Sequence, residues 1–130
     1  MRTQQLVKFE GIMSKGNGKY VTEESLKSQE LAGFRKVFSK VIVGRGDSDQ
    51  FLFVVLTIEP GGAVTKHSHV EESCYYFIEG SGRVFLGDDT HSAVPGAAVY
   101  IPAWQTHGIE NNGEETLKYI EVKSPVPPPG

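Results

Sequence analysis

The stretch Pro60–Gly80, PGGAVTKHSHVEESCYYFIEG, places two histidines one residue apart, then two adjacent glutamates, then an aromatic run closed by a glycine. In an extended chain alternate side chains share a face, so His67 and His69 point the same way, with ring nitrogens able to converge. The run behind them, SCYYFIE, has the aromatic and β-branched content of a strand. Such a pair belongs either to a polar loop or to a metal site. The flanking sequence decides which.

Upstream, FRKVFSKVIVG and QFLFVVLTIE are strand-like runs separated by the turn-forming GRGDSD. Downstream come GRVFLG, AVYIP, HGIEN and TLKYIEVK, with EGSG, GDDTHSAVPG and NNGEE reading as turns. Many short strands and 15 glycines predict an all-β sandwich or barrel over residues 34–124. Residues 1–33 form an N-terminal extension of polar, irregular character. Within it SKGNGK reads as a loop, and VTEESLKSQELAGF predicts a short helix, capped by Thr22 or Ser25 and ended by Gly33. QLVKFEGI (Gln5–Ile12) has the pattern of an edge strand that can be added to a neighbouring barrel. The Pro-rich tail, residues 125–130, cannot enter a sheet interior, because proline lacks the N–H donor.

Composition narrows the function classes. The chain has 130 residues and a net charge of −3, enough for one domain with one core. With no basic surplus to neutralise phosphates, nucleic acid is not an expected partner. No apolar run approaches the roughly 20 residues that span a bilayer. MRTQQLVKFEG lacks the apolar segment of a signal peptide, and the single Cys74 has no internal disulfide partner. A cytoplasmic protein without membrane contact is the expectation.

A second cluster follows in PGAAVYIPAWQTHGIEN, Pro95–Asn111, where His107 opens a strand after a proline turn at Pro102. A barrel can bring His107 to His67 and His69. Three neutral imidazoles plus a carboxylate suit one divalent transition metal: Fe, Mn, Zn, Ni, Co or Cu. Without a metal the same histidines would be polar residues of an open pocket.

At these residues the chain resembles a small single-domain cupin. The first cupin motif runs glycine, five residues, His-x-His, a glutamate, then a closing glycine; Gly61, His67, His69 and Gly80 match it. The second runs glycine, five residues, proline, then histidine and asparagine; Gly96, Pro102, His107 and Asn111 match it. The resemblance covers roughly residues 34–124. It departs at two places: Trp104 stands where the family usually has glycine, and the usual ligand glutamate falls on Ser73.

The resemblance implies a double-stranded β-helix, a jelly-roll cupin barrel of two sheets, with one divalent metal at its mouth held by His67, His69, a glutamate and His107. Glu72 becomes that glutamate only if the strand absorbs an extra residue as a β-bulge. Glu71 and water are the other possibilities. Trp104, Tyr75, Phe77 and Tyr100 are the candidate substrate-binding rings, with plain core packing as their alternative. His91 reads as a solvated turn residue and Cys74 as a small buried hydrophobe. The implied function is a metal-dependent enzyme acting on a small carbonyl, carboxylate or aromatic compound: a dioxygenase, isomerase, decarboxylase or lyase. No catalytic residue is assigned. The alternative is a non-enzymatic cupin that binds or senses a small molecule. A homodimer is implied as well.

Overall fold

Alternation of apolar and polar residues produces nine strands among the described residues, 18–128, of the computed structural model. They are β1 (Gln29–Glu30), β2 (Arg35–Val43), β3 (Leu52–His67), β4 (Glu72–Glu79), β5 (Gly82–Leu86), β6 (Asp89–Ala93), β7 (Ala98–Ile101), β8 (His107–Glu110) and β9 (Leu117–Ser124). The hydrogen-bonded order is β6-β5-β8-β3-β9-β4-β7, with β2 beside β3 and β1 beside β2.

β3 changes partners along its length within this one curled sheet. Its first half, Leu52–Ile58, lies between β2 and β9, and its second half pairs with β8 through Ala63, Val64 and His67. The chain bends between the halves at Gly61 and Gly62. Gly61 has φ +85°, which favours glycine. A Cβ on Gly62 would come within 2.6 Å of the Arg35 carbonyl oxygen. Buried Asn111 fixes this bend, its Nδ2 donating to the carbonyls of Ile58 (2.7 Å) and Glu115 (2.8 Å). The curled sheet is the double-stranded β-helix that the resemblance implies.

The inward face is apolar. Phe77, Tyr119, Ile58, Ile101, Ile109 and Leu117 are almost fully buried. Burial of each such side chain contributes about 1.5–3 kcal/mol. The inward row of β4 is Ser73, Tyr75 and Phe77, as strand alternation requires.

Four expectations are corrected. The helix predicted from Val21 to Phe34 is a single 3-10 turn, Glu23–Ser25, followed by β1. Thr22 makes no side-chain cap there; its carbonyl accepts a bond from Ser25 Oγ instead (2.7 Å). Tertiary pairing overrides local helix propensity, because Gln29 and Glu30 find strand partners in Ser39 and Phe38. The GDDTHSAVPG turn contains β6, a polar edge strand on which His91 is exposed. Cys74 is exposed on the outer face of β4. The β-bulge of β4 lies between Phe77 and Glu79 and not before Glu72. The edge-strand expectation for Gln5–Ile12 lies outside the described residues.

Candidate metal centre

Sheet register brings the histidines together. His67 ends β3 and is directly opposite His107, the first residue of β8, with ring centroids 4.6 Å apart. His69 follows in the loop, its ring 5.3 Å from His67 and 4.8 Å from His107. The backbone N–H of Trp104 donates to the His69 carbonyl at 2.7 Å and ties this loop to the turn before β8.

A common hydrogen-bond pattern fixes all three tautomers. Each Nδ1 lies against a carbonyl oxygen two residues away: Thr65 for His67 (2.8 Å), Glu71 for His69 (3.0 Å) and Gln105 for His107 (2.9 Å). A carbonyl only accepts, so Nδ1 carries the proton and Nε2 presents a lone pair. The Nε2 atoms of His69 and His107 are buried without a partner among the described residues. Such atoms are costly to leave unpaired. A divalent transition metal shared by three imidazole lone pairs would satisfy them, and the ligand atoms lie within 4.8 Å of one another. The donor set fits the metal.

Burial favours the ligating, neutral state. It pushes the His107 pKa from 6.5 down to about 4 and lowers that of His69 as well; nearby Lys123 acts in the same direction on both. The sign for stability follows. Below pH 6.5 the unfolded chain takes up a proton at His107 that the folded chain refuses, so stability is lost as pH falls from 6.5 towards 4. The metal-free protein should show a falling urea midpoint across this window. His107→Gln, which cannot titrate, should flatten the fall, and an unchanged slope would count against it.

Neither candidate glutamate joins the cluster. Glu72 is on the exposed face of β4, where its Oε1 accepts a hydrogen bond from the Tyr100 hydroxyl at 2.6 Å. The parity of the strand keeps it outside. Glu71 is buried, but its carboxylate lies 3.4 Å from His69 Nδ1, on the ring nitrogen that does not face the cluster. Ser73 occupies the inward position, and its Oγ is buried with no partner among the described residues.

A cavity of about 60 Å³ adjoins His67 and His69. Tyr75 lines it. Phe77 is fully buried in the core and does not line it. Tyr100 and Trp104 are exposed and do not line it either. The remaining wall comes from residues that sequence reasoning missed: Leu31 and Phe34 from the N-terminal side, Leu56 and Val64 from β3, and Tyr119, Glu121 and Lys123 from β9. Phe34 lies 5.5 Å from the His67 ring. Tyr75 and Tyr119 are kept protonated by burial, and the Glu121 carboxylate adds to that effect.

Trp104 explains its own oddity. Its φ is +66°, a left-handed conformation that favours glycine. Trp104→Gly should therefore raise stability by about 1 kcal/mol through relief of this strain, and the exposed position of the indole leaves the core intact. A urea midpoint that falls would show that the indole holds the turn.

The family model for the cupin domain matches residues 54–123. A 5-nitrosalicylic acid 1,2-dioxygenase of Bradyrhizobium is 33% identical over 64 residues, which are 48% of this chain and 31% of that enzyme. The chain thus spans about a third of that relative's length. The polyketide cyclase RemF of Streptomyces resistomycificus superimposes with a TM-score of 0.79 at 25% identity, over 87% of this chain and 83% of RemF. KdgF of Halomonas gives 0.76 at 20% identity, over 85% and 96%.

Proposed function

The chain belongs to the cupin family, and from that premise we propose that it is a metal-dependent enzyme acting on a small carboxylate, carbonyl or aromatic compound at the three-histidine site. The observation that carries this reading is the fixed set of three Nε2 lone pairs, two of them buried without a partner among the described residues. A divalent transition metal held there would supply Lewis-acid polarisation or open coordination positions for substrate and dioxygen. The chain's own residues do the rest. Leu31, Phe34, Tyr75 and Tyr119 exclude water, and Glu121 and Lys123 bring opposite charges to the cavity wall. Similarity to a protein named 5-nitrosalicylic acid 1,2-dioxygenase is the reason to try ring-bearing carboxylates first.

The test is elemental analysis of the purified protein, then a screen of the iron- and manganese-loaded forms against salicylates, catechols, diketones and keto acids. About one metal per chain and metal-dependent turnover are expected. Ligand binding with no turnover across the panel would replace the enzyme by a small-molecule binder.

The homodimer is part of the proposal. The outer face of β4, β7 and β9 exposes Tyr76, Ile78, Tyr100 and Val122 side by side, an apolar surface suited to pairing with a second copy. A monomer in sedimentation at micromolar concentration would refute it.

A further inference from the structure

We propose that Ser73 and Lys123 form an anion subsite beside the histidine cluster, and that the ligand this cupin takes supplies a carboxylate there. The proposal rests on the metal reading above and names the substrate class for the same site.

Three observations carry it. First, Ser73 stands at the inward position of β4 with its hydroxyl buried and unpartnered among the described residues. A buried O–H is a donor in search of an acceptor. Second, Ser73 and Lys123 are directly opposed across β4 and β9, and the Lys123 side chain lines the cavity with His67 and His69. Its ammonium forms a loose ion pair with the Glu121 carboxylate at 3.9 Å, without a hydrogen bond at that distance, so its N–H donors can still reach a ligand. Third, the two glutamates next to the histidines in sequence do not reach the Nε2 side of the cluster, and the carboxylate on the cavity wall, Glu121, stands beside Lys123. Glu72 is outside on Tyr100, and Glu71 lies against His69 Nδ1.

Charge then selects the ligand. Three neutral imidazoles leave a divalent metal uncompensated, and Lys123 adds positive charge to the same cavity. Glu71 and Glu121 do not cancel that excess. With the metal bound, the cations of this region outweigh Glu71 and Glu121, and a further anion is favoured there. A carboxylate that accepts hydrogen bonds from Ser73 and Lys123 supplies the missing negative charge and satisfies both donors. An uncharged ligand does neither.

The cobalt-loaded protein provides the test, because its visible absorption reports on the metal without any turnover. Pyruvate is the anionic probe and pyruvamide its uncharged counterpart. Pyruvate should perturb the spectrum and bind at least about tenfold more tightly than pyruvamide. Lys123→Met should weaken pyruvate about tenfold or more, leaving pyruvamide within about twofold and cobalt content at about one per chain. Ser73→Ala, a nearly isosteric change, should weaken pyruvate several-fold. Ser73→Glu should hold cobalt more tightly and lose the pyruvate response. Equal affinity for the two probes, or wild-type pyruvate affinity in cobalt-loaded Lys123→Met, would overturn the subsite. A wild-type protein showing no cobalt spectrum before any probe is added would overturn the metal reading, and this proposal with it.

Discussion

His107→Ala is expected to reduce bound metal from about one per chain to near zero after dialysis, with affinity lower by at least about two orders of magnitude. Loss of a residue that merely orients a metal ligand costs about 10–100-fold, and loss of a ligand costs at least as much. The partner set offers no replacement. The cluster is three histidines, Glu71 and Glu72 point elsewhere, and Ser73 is a poor ligand beside imidazole. Elemental analysis of wild type and variant checks this, with circular dichroism to confirm the fold. His107→Gln serves as the companion, because it fills more of the buried space that His107 leaves. Equal metal content in wild type and both variants would remove His107 from the site.

Phe77→Ala should cost about 3–5 kcal/mol of stability and leave ligand specificity unchanged. The sequence places this ring among the substrate-binding candidates, yet the structure buries it completely. Its ring packs against Tyr119 at 5.2 Å and edge-on against Tyr75 at 6.2 Å. Truncation leaves a cavity in the core that the surrounding strands cannot close. Urea unfolding gives the stability, and the substrate panel gives the specificity. A variant of near wild-type stability but altered substrate range would return Phe77 to the pocket wall.

The contrast between Phe77 and Tyr75 shows what the sequence can and cannot tell. Alternation along SCYYFIE assigns Ser73, Tyr75 and Phe77 to one face and Glu72 to the other, and the structure keeps that parity. Depth along the barrel is not encoded in parity, so Tyr75 reaches the cavity and Phe77 does not. The histidines are legible because spacing and motif fix them: His67 and His69 share a local stretch, and Gly96, Pro102 and Asn111 frame His107. Glu121 and Lys123 are not. In LKYIEVK the outer residues Ile120 and Val122 are as apolar as the inner Leu117 and Tyr119, so the pattern leaves the facing of the strand open. Leu31 and Phe34 escape for another reason. Their segment is helix-prone on its own, but pairing of Gln29 and Glu30 with β2 leaves Leu31 and Phe34 in the turn between β1 and β2. β6 escapes because DTHSA is a polar edge with no inward face except Ala93.

The change of partners along β3 also sets an order of events for the newly made chain. Its partners β8 and β9 follow it by dozens of residues, so these pairings close long loops and form slowly, on the millisecond-to-second scale typical of such topologies. His67 and His107 meet only when the β3–β8 pairing has formed. The ion therefore cannot seed the barrel as it does in a small domain whose ligands are local in sequence. Added metal should leave the refolding rate unchanged and slow unfolding instead, acting as a lock fitted after the barrel has closed.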